Sequence, residues 1–196
     1  MTLRDMTKQT QWVYSFQDAD GDQRNLLGGK GAGLADMTAV GLPVPPGFII
    51  TTEACRAYYE SGKTIPDEMW AQTLEALQEL EHTTGRFLGA PFDPLLVSVR
   101  SGSPVSMPGM MDTVLNLGLN QSVVDGIARR SNNPRFAFDL YRRFIQMFGN
   151  VVLGIESKHF DAVLQAYQEK AGVKLASNLA PEVLQLITSE FKEVVK

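Results

Sequence analysis

Four glycines surround a single lysine in the stretch NLLGGKGAGLADM, which runs from Asn25 to Met37. Glycines let backbone N–H groups approach an anion closely, and the start of a following helix adds a favourable dipole. Lys30 would supply a mobile positive charge for phosphate oxygens. The alternative is a plain turn before a closely packed helix, with the lysine exposed to solvent. The local pattern leaves both interpretations open.

Neither of the two standard phosphate-binding motifs is present in this stretch. A mononucleotide P-loop requires Ser or Thr directly after its lysine to hold magnesium, and here Gly31 and Ala32 follow Lys30. The dinucleotide motif needs a different glycine spacing, and Asp36 stands where its last glycine would fall. A phosphate role for this stretch therefore needs support from elsewhere in the chain.

A second group of polar residues lies in the segment LLVSVRSGSPVSMPGMMDT. Arg100 ends an apolar predicted strand and precedes a loop of small hydroxyl residues and glycines, where an arginine can grip phosphate through two hydrogen bonds. The alternative for Arg100 is a salt bridge to a nearby carboxylate such as Asp112, and spacing alone favours that pair. Met107, Met110 and Met111 predict an adaptable apolar surface that covers a ligand or a neighbouring domain.

The elements that must position these residues change in type along the chain. Short β-branched or aromatic runs predict strands at Trp12–Phe16, Gly47–Thr52, Pro94–Ser101 and Thr113–Leu119. Helical spacing predicts helices at Gly31–Val40, Thr52–Ser61, Asp67–Thr83, Gln121–Arg130, Pro134–Gly149, Ser157–Ala171 and Ala180–Val195. We therefore predict an α/β part over residues 1–119 and a mainly helical part over residues 120–196.

Composition limits the classes of function. The net charge of −4 argues against a general nucleic-acid binder, and no apolar run approaches membrane-spanning length. The N-terminus lacks a signal core, so we expect a cytoplasmic protein with no membrane partner. The single cysteine, Cys55, is expected to be a buried small hydrophobe. The chain stops within a helical pattern, SEFKEVVK, which suggests a truncated sequence.

Several residues have a structural interpretation beside a functional one. His82 and His159 are expected on the surface, because neither lies in a loop suited to carrying a phosphoryl group. The apolar spacing around Trp70 predicts a core stripe that includes Leu74 and Leu77. The basic residues could form an anion-binding patch, although a solvated helical face is favoured. These basic residues are Arg129, Arg130, Arg135, Arg142 and Arg143.

Four ordered segments resemble one known family. RNLLGGKGAGLADM, VPPGFIITTEAC, DPLLVSVRSGSPVSMPGMMDTVLNLGLN and NPRFAFDLYRRFIQMFG are similar to the N-terminal nucleotide-binding domain of pyruvate phosphate dikinases, and they cover most of residues 25–149. The related phosphoenolpyruvate synthases share the glycine–lysine stretch and the arginine-bearing strand more loosely. The resemblance implies an α/β (α+β) fold, with an ATP-grasp N-terminal lobe built on a mixed sheet and a helical subdomain after it.

The resemblance also implies a substrate and a set of contacts. Family members convert ATP, phosphate and pyruvate into AMP, diphosphate and phosphoenolpyruvate with Mg²⁺, and they are expected to be homodimers. A phosphohistidine domain carries the group from the ATP site to a pyruvate-binding barrel. By position in the motifs, Lys30 and Arg100 would contact ATP phosphates, and the loop from Gly102 to Asp112 would lie over them. Gly109, Asp112 and Thr113 belong to this expected ATP site, and Arg143 is a weaker candidate.

The chain also departs from the family pattern. Val105 stands where the family loop usually carries an arginine, so a positive charge is missing there. The second ATP-grasp lobe with its expected magnesium ligands, the phosphohistidine domain and the pyruvate barrel are all absent. We therefore assign no catalytic residue and no metal ligand, and we expect an inactive N-terminal fragment. The alternatives are a naturally short, non-catalytic paralogue that acts as a binding or regulatory module, and a fragment of a phosphoenolpyruvate synthase.

Overall fold

The computed structural model of this chain describes residues 10–102 and 112–196. In chain order the elements are β1 (Val13–Ser15), α1 (Arg24–Ala39), β2 (Phe48–Ile50), α2 (Thr52–Glu60), α3 (Asp67–Thr84), β3 (Val97–Arg100), β4 (Thr113–Leu117), α4 (Gln121–Ser131), α5 (Pro134–Val151), α6 (Ser157–Ala171) and α7 (Pro181–Val195), with a 3-10 turn at Ala176–Asn178. The described residues form two compact units, one of residues 10–85 and 102, the other of residues 86–101 and 112–196.

The first unit is built on the antiparallel pair β1–β2, in which Val13 lies opposite Ile50. Helix α1 packs on β2, and Leu27, Ala32 and Ile49 form its small buried core. The contact is close because α1 presents small residues to the strand. A Cβ atom on Gly31, for example, would lie only 3.1 Å from the Ile49 side chain. Gly31 therefore serves helix–strand packing.

Helix α3 is tied to the start of β1 by one side chain. The Gln72 Oε1 atom accepts hydrogen bonds from the backbone N–H of Trp12 at 2.7 Å and of Val13 at 3.2 Å. Its Nε2 atom donates to the carbonyl of Thr10 at 2.8 Å. The Gln72 amide thus satisfies backbone groups that the two-stranded sheet would otherwise leave to water. This contact fixes α3 against β1.

The second unit is a helical cluster that carries the antiparallel pair β3–β4. Helix α5 packs against α4, α6, α7 and β4. The core contains the fully buried side chains of Val123, Phe160, Leu184, Ile187 and Phe191. Burial of apolar surface at about 25 cal/mol per Å² makes this cluster the main source of the unit's stability.

The helices of the second unit begin where the sequence places caps. The Asn120 side chain accepts a hydrogen bond from the Val123 N–H at 3.0 Å at the start of α4. The Asn133 side chain accepts one from the Phe136 N–H at 3.0 Å, and Pro134 occupies the first turn of α5. Each cap satisfies a donor that the helix itself leaves unpaired, which is worth roughly 1 kcal/mol.

The predicted fold class, an α/β part followed by helices, is confirmed. The described strands pair in two separate antiparallel sheets of two, where the family resemblance led us to expect one mixed sheet. The compact units also differ from the predicted division after residue 119, because β4 packs on α5 and the β3–β4 pair therefore belongs with the helices. The last described strand, β4, does end before the predicted boundary between residues 119 and 120. That boundary stays a prediction.

Two details of the first unit differ from the predictions. Cys55 is exposed rather than buried, because α2 turns its neighbour Ala54 toward the interior instead. Trp70 and Leu74 are also exposed, at 51% and 40% of their surface. The buried residues of α3 are Met69 and Leu80, so the predicted core stripe is rotated around the helix.

Candidate functional site

The glycine-rich stretch around Lys30 is helical rather than a loop. Helix α1 begins at Arg24, earlier than the predicted start at Gly31. At Gly28, however, the backbone leaves helical geometry, with φ 71° and ψ 160°, and two helical segments meet there. This combination of angles is accessible almost exclusively to glycine. The kink therefore starts a new helical segment, residues 29–39, with Lys30 in its first turn.

A helix start has a defined electrostatic character. The first N–H groups of a helix have no carbonyl partner within it, and the aligned peptide dipoles place partial positive charge there. Lys30 adds a full positive charge, and its side chain is half-buried. The Thr52 hydroxyl ties this region to α2 by donating to the Asn25 carbonyl at 2.6 Å. The arrangement is suited to an anion.

Three of the predicted site residues lie together at the loop end of the β3–β4 pair. Arg100 pairs with Thr113 in the strand register. One residue further, the backbone N–H and the hydroxyl of Ser101 both donate to the carbonyl of Asp112, each at 3.1 Å. These two hydrogen bonds hold together both ends of the loop that joins the strands.

The salt bridge that spacing favoured for Arg100 is not formed. Within the part of the chain that the structure describes, the Arg100 guanidinium makes no ion pair with Asp112 or with another carboxylate. Both side chains are exposed, and the ordered contact to Asp112 is made through its backbone carbonyl instead.

Arg143 lies on α5, in the same unit as Arg100. Its side chain is 69% exposed, and its Nε atom donates to Oδ2 of Asp139 at 2.9 Å. One helical turn further along α5, the Met147 sulfur accepts a hydrogen bond from the backbone N–H of Leu115 in β4 at 3.4 Å. The helix that carries Arg143 therefore also packs against the β3–β4 pair.

The basic residues of α4 and α5 do not share one solvated face. Arg142 is buried, with 5% of its surface exposed, which contradicts the interpretation as a solvated side chain. Its Nε and Nη2 atoms donate to Oδ1 of Asp139 at 3.0 and 2.8 Å, and this pairing makes burial of the charge possible. Sequence analysis missed Asp139, although its spacing of three and four residues from the two arginines was a visible signal.

The remaining predicted residues divide into three groups. Gly109, Val105 and the methionines Met107, Met110 and Met111 lie outside the described residues. His82 and His159 are both exposed, as predicted. Lys30 belongs to the first compact unit, whereas Arg100, Asp112, Thr113 and Arg143 belong to the second.

The described residues contain neither a cluster of metal-binding side chains nor a membrane-spanning helix. Over residues 10–102 and 112–196, no group of three or more His, Cys, Asp or Glu side chains is arranged to hold a metal ion. The same residues contain no helix that is both long and apolar enough to cross a bilayer.

Known proteins provide the context for this geometry. Residues 24–80 match the family model described as pyruvate phosphate dikinase, AMP/ATP-binding domain. The chain is 51% identical over 185 residues to the pyruvate, phosphate dikinase of Clostridium symbiosum, which covers 94% of this chain and 21% of that protein. It is 52% identical over 171 residues to the chloroplastic pyruvate, phosphate dikinase of Mesembryanthemum crystallinum, covering 87% and 18%.

A third relative is the pyruvate, phosphate dikinase of Entamoeba histolytica, with 45% identity over 190 residues, 95% of this chain and 22% of that protein. The matches thus extend along nearly the whole chain, including both compact units. The chain spans about a fifth of the length of these curated relatives.

Proposed function

Because this chain is related to the pyruvate phosphate dikinases, as its motifs predicted, we propose that it supplies phosphate contacts for ATP in an enzyme of that kind. The complete reaction would convert ATP, phosphate and pyruvate into AMP, diphosphate and phosphoenolpyruvate. The observation that carries the proposal is the kink at Gly28, which starts a helical segment beside Lys30. This feature lies within the residues that match the AMP/ATP-binding domain model.

The chemistry of phosphoryl transfer explains why such a feature is useful. The reaction depends mainly on positioning and on neutralising charge, so backbone N–H groups and cationic side chains are the parts that a protein must provide. A helix start donates several N–H groups in one direction. Lys30 would add a mobile charge that follows the phosphate oxygens.

The loop end of the β3–β4 pair would provide the second set of contacts. Arg100 has a planar guanidinium with five donors, which matches two oxygens of one phosphate. Ser101 and Asp112 hold the ends of the intervening loop through the two hydrogen bonds at 3.1 Å. We propose that this loop, with Gly109 and Thr113, covers the ATP phosphates, and that Arg143 adds a further cationic contact.

The remaining machinery would come from the rest of such an enzyme. We propose that a second ATP-grasp lobe supplies the magnesium ligands, that a phosphohistidine domain carries the group, and that a pyruvate-binding barrel receives it. Homodimer formation and a cytoplasmic location are part of the same proposal, although five plant relatives carry chloroplastic names. The chain by itself would then be inactive and would bind ATP weakly, with a dissociation constant in roughly the millimolar range.

The proposal is tested by titrating the ¹⁵N-labelled chain with Mg-ATP. We expect the amide signals of residues 28–31 to shift, and we expect Lys30→Ala and Arg100→Ala each to weaken this binding. Lys158→Ala and Arg129→Ala are matched controls, since both side chains are exposed and lie on other helices. Micromolar binding that is insensitive to both Lys30→Ala and Arg100→Ala would refute the site.

A further inference from the structure

Asp139 contacts two consecutive arginines with its two different oxygens. Oδ1 accepts from Nε and Nη2 of Arg142 at 3.0 and 2.8 Å, and Oδ2 accepts from Nε of Arg143 at 2.9 Å. The exposed fractions of the three side chains are 15% for Asp139, 6% for Arg142 and 69% for Arg143. We call these three residues the Asp139 clamp. It runs from the interior of the second unit to its surface.

We propose that the Asp139 clamp orients the guanidinium of Arg143 for binding a phosphate group. Asp139 and Arg142 are then positioning residues, and Arg143 is the residue that touches the ligand. This inference rests on the proposed function, in which Arg143 contacts ATP phosphates. It goes further by naming two residues that would act through Arg143.

The geometry explains how the clamp would orient the side chain. With its Nε atom bound to Asp139, Arg143 keeps both Nη nitrogens for other partners, and they bond to no group within the described residues. Two parallel N–H donors are the fork that a phosphate group accepts. The clamp therefore leaves exposed the part of the guanidinium that recognises phosphate.

The clamp is anchored on its buried side. Nη1 of Arg142 also donates to Oε1 of Gln146 at 3.4 Å, and Nε2 of Gln146 donates to Oδ1 of Asp161 on α6 at 3.1 Å. Asp139 is thus held before Arg143 binds to it. An ordinary surface pair must restrain two mobile side chains, whereas this one restrains only Arg143. The entropy cost of ordering Arg143 is thereby met before a ligand arrives.

The charge of the clamp remains suited to an anion. Two guanidinium cations and one carboxylate leave one net positive charge, and the carboxylate's two oxygens are both occupied by arginine donors. The exposed end of the clamp is therefore cationic. A phosphate would meet the Nη fork of Arg143 rather than the Asp139 oxygens.

The first test uses the unaltered chain and the NMR signals of its arginine Nε–H groups. Arg129 is the internal control, because it is also exposed and its side chain has no partner within the described residues. We expect the Nε–H of Arg143 to exchange with water more slowly than that of Arg129 and to be more rigid. Equal exchange and equal mobility of the two side chains would overturn the proposal without any mutation.

The second test uses Asp139→Asn and inorganic diphosphate as the probe. We expect the variant to lose the slow exchange at Arg143 and to bind diphosphate about fivefold more weakly, a change that corresponds to one weak ionic contact. Asp125→Asn is the matched control, because Asp125 lies on α4 of the same unit and bonds to Gln121 rather than to a residue of the clamp or its anchor. It should leave both readouts unchanged.

The outcomes separate this inference from the proposed function. If diphosphate shifts the Arg143 signal equally in the unaltered chain and in folded Asp139→Asn, the positioning role is refuted and the phosphate contact stands. If no diphosphate concentration moves the Arg143 signal, the phosphate role of Arg143 fails and the inference fails with it. A lower melting temperature alone would indicate only a structural role for the clamp.

Discussion

Arg100 and Thr113 face each other across the final residue pair of strands β3 and β4, and the Arg100 guanidinium is bound to no carboxylate within the described residues. The strand pairing thus fixes the backbone position of Arg100 while its charged group remains in solvent. A substitution of Arg100 can therefore change ligand binding without a large change in the stability of the fold. Phosphate contact is the role that we propose for this arginine.

Replacing Arg100 should change ligand binding and leave stability nearly unchanged. Loss of hydrogen bonds to a charged phosphate costs about 1.5–3 kcal/mol, which is roughly 10- to 100-fold in affinity for Mg-ATP. An exposed side chain without a partner contributes less than about 0.5 kcal/mol to folding. Mg-ATP titration and urea unfolding of Arg100→Ala measure the two effects separately. A large loss of stability with unchanged ATP binding would contradict this assignment.

Gly28→Ala should disrupt the kink in α1. The angles φ 71° and ψ 160° are unfavourable for any residue with a Cβ atom, so we expect a destabilisation of about 1–3 kcal/mol and weaker binding of Mg-ATP. Gly33→Ala is the control, because no atom lies within 4 Å of the added Cβ and the residue is helical. That change should stabilise the helix by about 0.5–1 kcal/mol. Urea unfolding measures both, and equal effects would argue against a required kink.

Replacing Asp139 should lower the stability of the chain much more than replacing Arg143. Asp139→Ala leaves the buried Arg142 cation without its carboxylate, which is expected to cost about 3–5 kcal/mol. Arg143→Ala removes an exposed partner from the same carboxylate and should cost no more than about 1 kcal/mol. Chemical denaturation of both variants measures the difference. Similar losses for the two variants would mean that Arg142 does not depend on Asp139.

The contact between Asp93 and Arg130 should make stability sensitive to acid. The hydrogen bond from Arg130, at 2.9 Å, lowers the pKa of the Asp93 carboxyl below its ordinary value of 3.8, with further lowering by the charge of Arg86. A lowered folded-state pKa means that the contribution is complete above the unfolded-state pKa. It is lost as pH falls below about 4 through the folded-state pKa.

Asp93→Asn tests this effect, because asparagine also tolerates the positive φ of 42° at this position. We expect a small loss of stability at neutral pH and a difference from the unaltered chain that disappears as the pH falls through the lowered folded-state pKa of Asp93. Thermal unfolding across this pH range measures the difference, which should shrink at high salt because the groups are exposed. A constant difference at every pH would exclude the ionic contribution.

Local patterns were sufficient for much of the fold. The predicted strand at Pro94–Ser101 contains β3, and the predicted helix at Pro134–Gly149 nearly coincides with α5, because side-chain periodicity and caps act within a few residues. The helix predicted from Gly31 agrees with the helical segment after the kink, whereas the helical residues before Gly31 were missed, since glycine permits several backbone conformations. The kink at Gly28 was visible only in the structure.

The candidate site was predicted in part. The motifs singled out Lys30 and Arg100, and the structure brings Arg100, Asp112 and Thr113 to one end of a strand pair. Whether Arg100 pairs with Asp112 could not be read from the sequence, because an ion pair depends on the direction of both side chains after folding. The absence of that pair was found only from the tertiary structure.

The amino-acid sequence by itself determined the similarity to pyruvate phosphate dikinases, the α/β class and the identity of the cationic residues, since these follow from residue types and local spacing. The tertiary structure alone decided which arginine is buried. Arg142 and Arg143 are adjacent in sequence, and a helix separates consecutive side chains by about 100°. The packing of α5 in the second unit buries Arg142 and leaves Arg143 in water, and Asp139 joins the two.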